Sequence, residues 1–231
     1  MNVAEKKVRI AIIDSGIDST KADLYAYVTE SIGFTVNASG YIEKTSNPNP
    51  THEHGTIIAV IIKHFCKNID IISINILNKK LATDGRILIH AFDKALAYKP
   101  DIIHLSLGTT KWIYRFPLYR LVTLAGKNNC IVVAAASNTG IKSYPSHFKN
   151  VIRVKSARMP CYTDISYNNG YFFAHHDAKE ILAYNSYPQI DGYCGTSYAA
   201  AYITGHIAEA ILANKSKDKT QIINYLILKK E

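Results

Sequence analysis

The chain has 231 residues, 48% of them apolar, and no apolar run approaches the roughly 20 residues that cross a membrane, so it reads as one globular domain over residues 1–231 with no membrane partner. Twenty-seven lysines and arginines against 18 acidic residues give a formal net charge of +9, which favours acidic partners at long range; the lysines are scattered, compact only at Glu5-Lys6-Lys7-Val8-Arg9 and Lys229-Lys230, and no basic helix or aromatic–basic motif points to nucleic acid. The polar start has no signal-like apolar stretch, and Cys66, Cys130, Cys161 and Cys194 form no C-x-x-C pair, so a cytoplasmic protein with reduced thiols, mostly core fillers, is expected.

In chain order, residues 8–13 form the first short run that is apolar on successive positions and rich in β-branched side chains, the pattern of a strand covered on both faces. Residues 55–66 show helical spacing, followed by a second buried-strand pattern at 69–77. A helix is predicted over 84–98, with Asp84 as N-cap and Pro100 just beyond its end. Strand 101–107, helix 114–127 and strand 130–136 continue the alternation, then a short strand at 151–155, a loop-rich stretch at 160–192, and helices at 197–214 and 218–228. Strand and helix in alternation imply an α/β domain, a doubly wound and mostly parallel sheet flanked by helices.

Three short strings carry chemistry: I-I-D-S-G at 12–16, H-G-T at 54–56 and G-T-S at 195–197. Each puts one member of an Asp, His, Ser set beside glycine and small hydroxyl residues, as a side chain projecting from a tight turn requires. Asp14 ends the first buried strand, at the carboxyl edge where open α/β sheets bind ligands. His54 and Ser197 each open a helix, and the backbone N–H of Ser197 can help hold a developing oxyanion. Acyl transfer divides the labour: Ser197 attacks the carbonyl, His54 takes and returns the proton, and Asp14 orients the imidazole.

With A-I-I-D-S-G-I-D at 11–18, H-G-T at 54–56, H-L-S-L-G at 104–108, V-V-A-A-A-S-N at 132–138 and G-T-S-Y-A-A at 195–200, in this order, the chain resembles the subtilisin-like serine peptidases over nearly its whole length. The resemblance implies a subtilisin-like fold, an oxyanion donor at Asn138, and a substrate-pairing segment at Ser106, Leu107 and Gly108. It also implies a pocket wall built from Ala134, Ala135 and Ala136. The chain departs from the family pattern at Ile57, Ile58, Ala59 and Val60 after H-G-T, at Ser137 before Asn138, and at Tyr198, Ala199, Ala200 and Ala201 after the nucleophile, where the usual proline is missing. Ala174-His175-His176 replaces the usual A-P-G turn.

Residues 64–68 leave no room for the loop that helps bind a structural calcium ion in secreted relatives, so no tight calcium site is expected there. No metal ligand and no cofactor is assigned. The His52–His54 pair lacks a third ligand, His175 and His176 read as loop residues, and Cys194 reads as a bystander near Ser197. Tyr193 and Tyr198 are candidates for shaping the cleft. The expected activity is that of an intracellular endopeptidase without a zymogen step, selective for a peptide or precursor protein. Its basic charge would suit the acidic leader of a maturing peptide. The alternative is an inactive peptide-binding scaffold on the same fold. Cleavage specificity and oligomeric state are not encoded in any motif.

Overall fold

The computed structural model describes residues 6–45, 48–188, 194–214 and 216–228. The elements are β1 (Val8–Asp14), β2 (Val28–Val36), β3 (Ile42–Lys44), α1 (His54–Phe65), β4 (Ile69–Asn75), α2 (Gly85–Ala97), β5 (Ile102–Leu105), α3 (Arg115–Lys127), β6 (Ile131–Ala135), β7 (Ile152–Ala157), β8 (Ser166–Asn168), β9 (Tyr171–His175), α4 (Lys179–Tyr184), α5 (Thr196–Asn214) and α6 (Lys219–Leu228). One sheet of nine strands runs β3-β2-β4-β1-β5-β6-β7-β9-β8. Its neighbours pair in parallel except at the two edges, where β3 and β8 are antiparallel.

Alternation along β1 explains why its sequence is apolar at successive positions. Val8, Ile10 and Ile12 point into a core shared with α1 and α5, whereas Ala11 and Ile13 point into a core shared with α2 and α3. Both faces of the strand are therefore dry. The α1 helix is apolar all round because it lies inside the first core, with Ile57, Ile58, Ile61 and Ile62 all wholly buried. Each such side chain stabilises the fold by about 1.5–3 kcal/mol before ordering costs. At its other end, only Cys66, Lys67 and Asn68 separate α1 from β4. The predicted cap of α2 is present: Asp84 Oδ1 accepts from the Arg86 N–H at 2.8 Å.

The sheet order also locates the cleft. Strands β2 and β4 lie on one side of β1, and β5, β6 and β7 on the other. The winding changes direction at the β1–β5 pair, where the carboxyl ends of the strands open a crevice. Asp14 closes β1, and Ser106 follows β5 directly.

The stretch 160–192, read from sequence as loop-rich, contains β8, β9 and α4. In β9 only Phe172 and Ala174 are buried, so no continuous apolar run marks it, and α4 has six residues. Strands β2 and β3 were equally unmarked, because β2 buries only Ile32, Gly33 and Phe34 near an edge of the sheet. The cysteines divide evenly: Cys66 and Cys130 are buried, as core fillers should be, but Cys161 and Cys194 are exposed. Glu5 and the tail pair Lys229-Lys230 fall outside the described residues.

Helices α1 and α5 meet at Gly205, where an added Cβ would lie 2.8 Å from Phe65 Cβ. Alanine has the higher helix propensity by up to about 1 kcal/mol. Overpacking costs about 1–3 kcal/mol, so Gly205→Ala is expected to lower the melting temperature despite that propensity; a rise on thermal denaturation would mean that the two helices are free to separate.

Candidate active site

Asp14 is 1% exposed at the end of β1 and His54 is 8% exposed at the start of α1, and their side chains meet. His54 Nδ1 lies 2.8 Å from Asp14 Oδ1. The ionised carboxylate is acceptor-only, so Nδ1 carries the proton and donates it, which leaves Nε2 as the basic edge of the ring. The same Oδ1 accepts from the Ser15 N–H at 2.7 Å, and Asp14 Oδ2 accepts from the Ser106 hydroxyl. Ser15 is itself fixed: its hydroxyl donates to the His52 carbonyl at 2.9 Å and accepts from the Gly55 N–H at 3.0 Å.

The electrostatics follow from these contacts. Burial alone would push Asp14 up, but the charge of His54 and hydrogen bonds from His54, Ser106 and the Ser15 N–H outweigh it and bring the carboxyl down to about 2. Burial alone would likewise favour neutral His54. The charge of Asp14 and its hydrogen bond prevail, and the imidazole sits above its ordinary 6.5.

Ser197 is the second residue of α5, and its Oγ donates to the Ser106 carbonyl at 3.2 Å. No hydrogen bond between Ser197 and His54 within 3.5 Å occurs in this conformer among the described residues. Nucleophile–base contacts are often long before substrate arrives. The Asn138 amide is oriented by its neighbours: Oδ1 accepts from the Thr196 N–H at 3.0 Å, so Nδ2 is the atom left to donate into the cleft. Gly195, at φ +141°, passes so close to that amide that a Cβ would stand 3.2 Å from Nδ2. Ser137, which departs from the family pattern beside Asn138, turns its hydroxyl to Thr139 Oγ1 at 2.8 Å.

Ser106, Leu107 and Gly108 leave the sheet beyond β5, and a bridge between Thr109 and Tyr144 holds the segment in place. Gly108 has to lack a side chain there, since a Cβ would fall 2.7 Å from the Tyr144 carbonyl. The three alanines do not share one surface. Ala134 is wholly buried in the core under α2 and α3, Ala135 in the core on the opposite face, and Ala136 is half-buried, as strand alternation dictates.

Sequence reasoning missed the anchoring role of Ser106; its place in H-L-S-L-G was the available signal. His104, two residues earlier, is fully buried. Its Nδ1 donates to Thr204 Oγ1 at 2.8 Å, and that hydroxyl donates to the Ala200 carbonyl. Burial is the main cause that pushes His104 down to about 4, so it stays neutral beside the ionised Asp14. His52 Nδ1 accepts from the His54 N–H at 3.1 Å. Tyr198 packs its ring 5.5 Å from that of His54, and Tyr193 falls outside the described residues.

The turn after β1 and the start of α1 touch at Gly55, where a Cβ would sit 2.3 Å from the Gly16 carbonyl oxygen and 3.3 Å from Asp14 Oδ1. Gly55→Ala is expected to force the two elements apart and to return the His54 pKa towards or below 6.5, read from the imidazole resonances by NMR titration. An unshifted His54 would show that the pair tolerates the displacement.

The geometry has counterparts among known proteins. The family model described as Subtilase family, Peptidase_S8, matches residues 5–230. Thermitase of Thermoactinomyces vulgaris is 25% identical over 233 residues, covering 93% of this chain and 77% of the relative. The intracellular serine protease of Paenibacillus polymyxa is 26% identical over 215 residues, covering 87% of this chain and 65% of the relative. In fold, the crystal structure of a lanthipeptide protease superimposes with a TM-score of 0.65 at 21% identity, over 90% of this chain and 74% of that one. No helix among the described residues is long and apolar enough to cross a membrane. The chain belongs to the subtilase family of serine proteases.

Proposed function

We propose that the chain is an active serine endopeptidase that cleaves peptide bonds through an acyl-enzyme, with Ser197 as nucleophile, His54 as general base and then general acid, and Asp14 as the orienting carboxylate. The observation that carries this reading is the buried 2.8 Å contact between His54 Nδ1 and Asp14 Oδ1, which leaves Nε2 as the basic edge that the reaction needs. Ser197 rotates from the Ser106 carbonyl to His54 and gives up its proton as its oxygen attacks the scissile carbonyl. The oxyanion that forms is held by the Ser197 N–H at the start of α5 and by Asn138 Nδ2. His54 then protonates the leaving amine, and water repeats the sequence to release the acid product.

Losing the oxyanion donor in subtilisin itself costs about 10²–10³ in kcat, a figure that belongs to that relative and is carried over to Asn138 here. The alternative, a peptide-binding scaffold without turnover, draws on the contact between Ser197 Oγ and the Ser106 carbonyl at 3.2 Å, which keeps the hydroxyl off its base.

The rate of labelling by a fluorophosphonate serine probe separates the two readings. His54 must be neutral to accept the proton, and its pKa is raised, so labelling is expected to rise with pH, reach half its maximum above 6.5 and level off in mild alkali. The adduct disappears in Ser197→Ala, and Asp14→Asn slows labelling while lowering the midpoint, because burial then acts on the imidazole unopposed. A folded protein that takes no label across this range is a scaffold.

We further propose that the enzyme works inside the cell on a restricted set of peptides, maturing a precursor by removing an acidic leader segment. The net charge of +9 favours such a substrate by long-range attraction, and relatives named as intracellular and lanthipeptide proteases make both the compartment and the reaction class reasonable. Cleavage of a precursor with an acidic leader should be faster than cleavage of casein and should slow as salt is raised. Equal rates on both substrates would mark a general turnover protease.

A further inference from the structure

We propose that His175, His176 and Asp177 form a binding site for one divalent transition-metal ion of the zinc class, separate from the triad and attached to the segment that leads into the nucleophile. His175 ends β9, and the two residues after it leave the sheet. The Nε2 atoms of both imidazoles lie 3.6 Å from the same atom, Asp177 Oδ2. That separation is too long for a hydrogen bond. It is close to the roughly 3.4 Å between two donors on a tetrahedral ion with bonds of about 2.0–2.1 Å. One ligand atom from each of the three residues lies within 4.8 Å of the others, and the rings stand side by side with centroids 4.9 Å apart.

The rings are short of partners otherwise. Nδ1 of His175 and of His176 is buried without a hydrogen bond among the described residues, a cost of about 1–3 kcal/mol for a polar group removed from water. Both rings turn Nε2 to one carboxylate oxygen, the arrangement of a shared ion, which would leave the Nδ1 atoms as they are. The carboxylate is braced from behind: Asp177 Oδ1 accepts from the Lys179 N–H at 3.1 Å and the Asp177 carbonyl accepts from the Tyr202 hydroxyl at 2.9 Å, the kind of outer support that metal-binding carboxylates use.

Two imidazoles and a carboxylate are the nitrogen and oxygen donor set of an open zinc site, whose fourth position is left to water or to a ligand. Asp177 is also tied to the segment before the nucleophile by an isolated antiparallel bridge to Cys194. The Gly195 N–H donates to the His176 carbonyl at 2.7 Å, so an ion here would tie β9 to the two residues that precede Thr196 and Ser197. The site therefore stands whether or not Ser197 is catalytically active.

The test is a titration of the chelator-stripped Ser197→Ala protein with Co²⁺, followed by its visible and near-ultraviolet absorption, with Zn²⁺ added to displace it. One equivalent is expected to bind, giving visible cobalt bands that Zn²⁺ abolishes. The pair His175→Ala and His176→Ala should weaken binding by more than the 10–100-fold typical of an outer-shell partner. The double variant should keep the cooperative thermal unfolding of its parent, which shows that the fold survives. No saturable binding, or binding that survives the double substitution, as it would at His52 and His54, overturns the site.

Discussion

Everything at the centre of this molecule depends on bringing the end of β1 and the start of α1 close enough for Asp14 to reach His54. That approach is a backbone constraint before it is an electrostatic one. Gly55 passes the Gly16 carbonyl at a distance no side chain could share, and Gly16 adopts φ +84°, a conformation glycine enters freely. The two glycines therefore set the 2.8 Å contact, and the charges follow it. Once the contact exists, a carboxylate that burial would neutralise stays ionised, and an imidazole that burial would neutralise is held above its ordinary pKa. Neither group could stay charged at this depth alone, since an unpaired buried charge costs several kcal/mol.

The surrounding fold makes that pair rigid from several directions. Asp14 is held at Oδ1 by Ser15 and at Oδ2 by Ser106, which belong to opposite walls of the crevice at the β1–β5 switch. Ser106 also meets Ser197 through its carbonyl, so one residue after β5 touches both ends of the Asp–His–Ser set. The alanines Ala199, Ala200 and Ala201 are wholly buried, which lets α5 lie close to the sheet. The proline expected after the nucleophile is not needed for that approach, and α5 runs unbroken from Thr196 to Asn214.

Legibility in the sequence followed burial. Strands β1, β4, β5 and β6 have both faces covered, so their apolar runs are continuous and could be read directly, and the helices between them carried clear periodicity and, in α2, a cap. Strand β9 buries only alternate residues and β2 only a short central stretch, so neither carried such a run. The site was legible for a different reason. Asp14, His54 and Ser197 each need a tight turn or a helix start beside them, and those needs leave glycine and small hydroxyl residues as a local signature. Ser106 and His104 had no such signature, because their partners lie on other elements: Asp14 for the first and Thr204, a hundred residues on, for the second. The run Ala134-Ala135-Ala136 carried no mark of which face each residue takes, since a strand turns alternate residues to opposite faces.

The two buried histidines near the crevice show how completely the local partner decides a role. His54 and His104 are both removed from water, and that alone favours the neutral ring in each. His54 meets a carboxylate directly, and the charge prevails. His104 meets a hydroxyl whose own proton is committed to the Ala200 carbonyl, so it gains a hydrogen bond but no charge, and burial prevails. Its Nε2 is left buried without a hydrogen bond among the described residues, a cost that the ion pair beside it never incurs. A second charged imidazole at His104 would repel the protonated form of His54 at the moment that form is needed. Keeping His104 neutral therefore serves the same chemistry as keeping Asp14 ionised, and both follow from which atom of a neighbour each side chain faces.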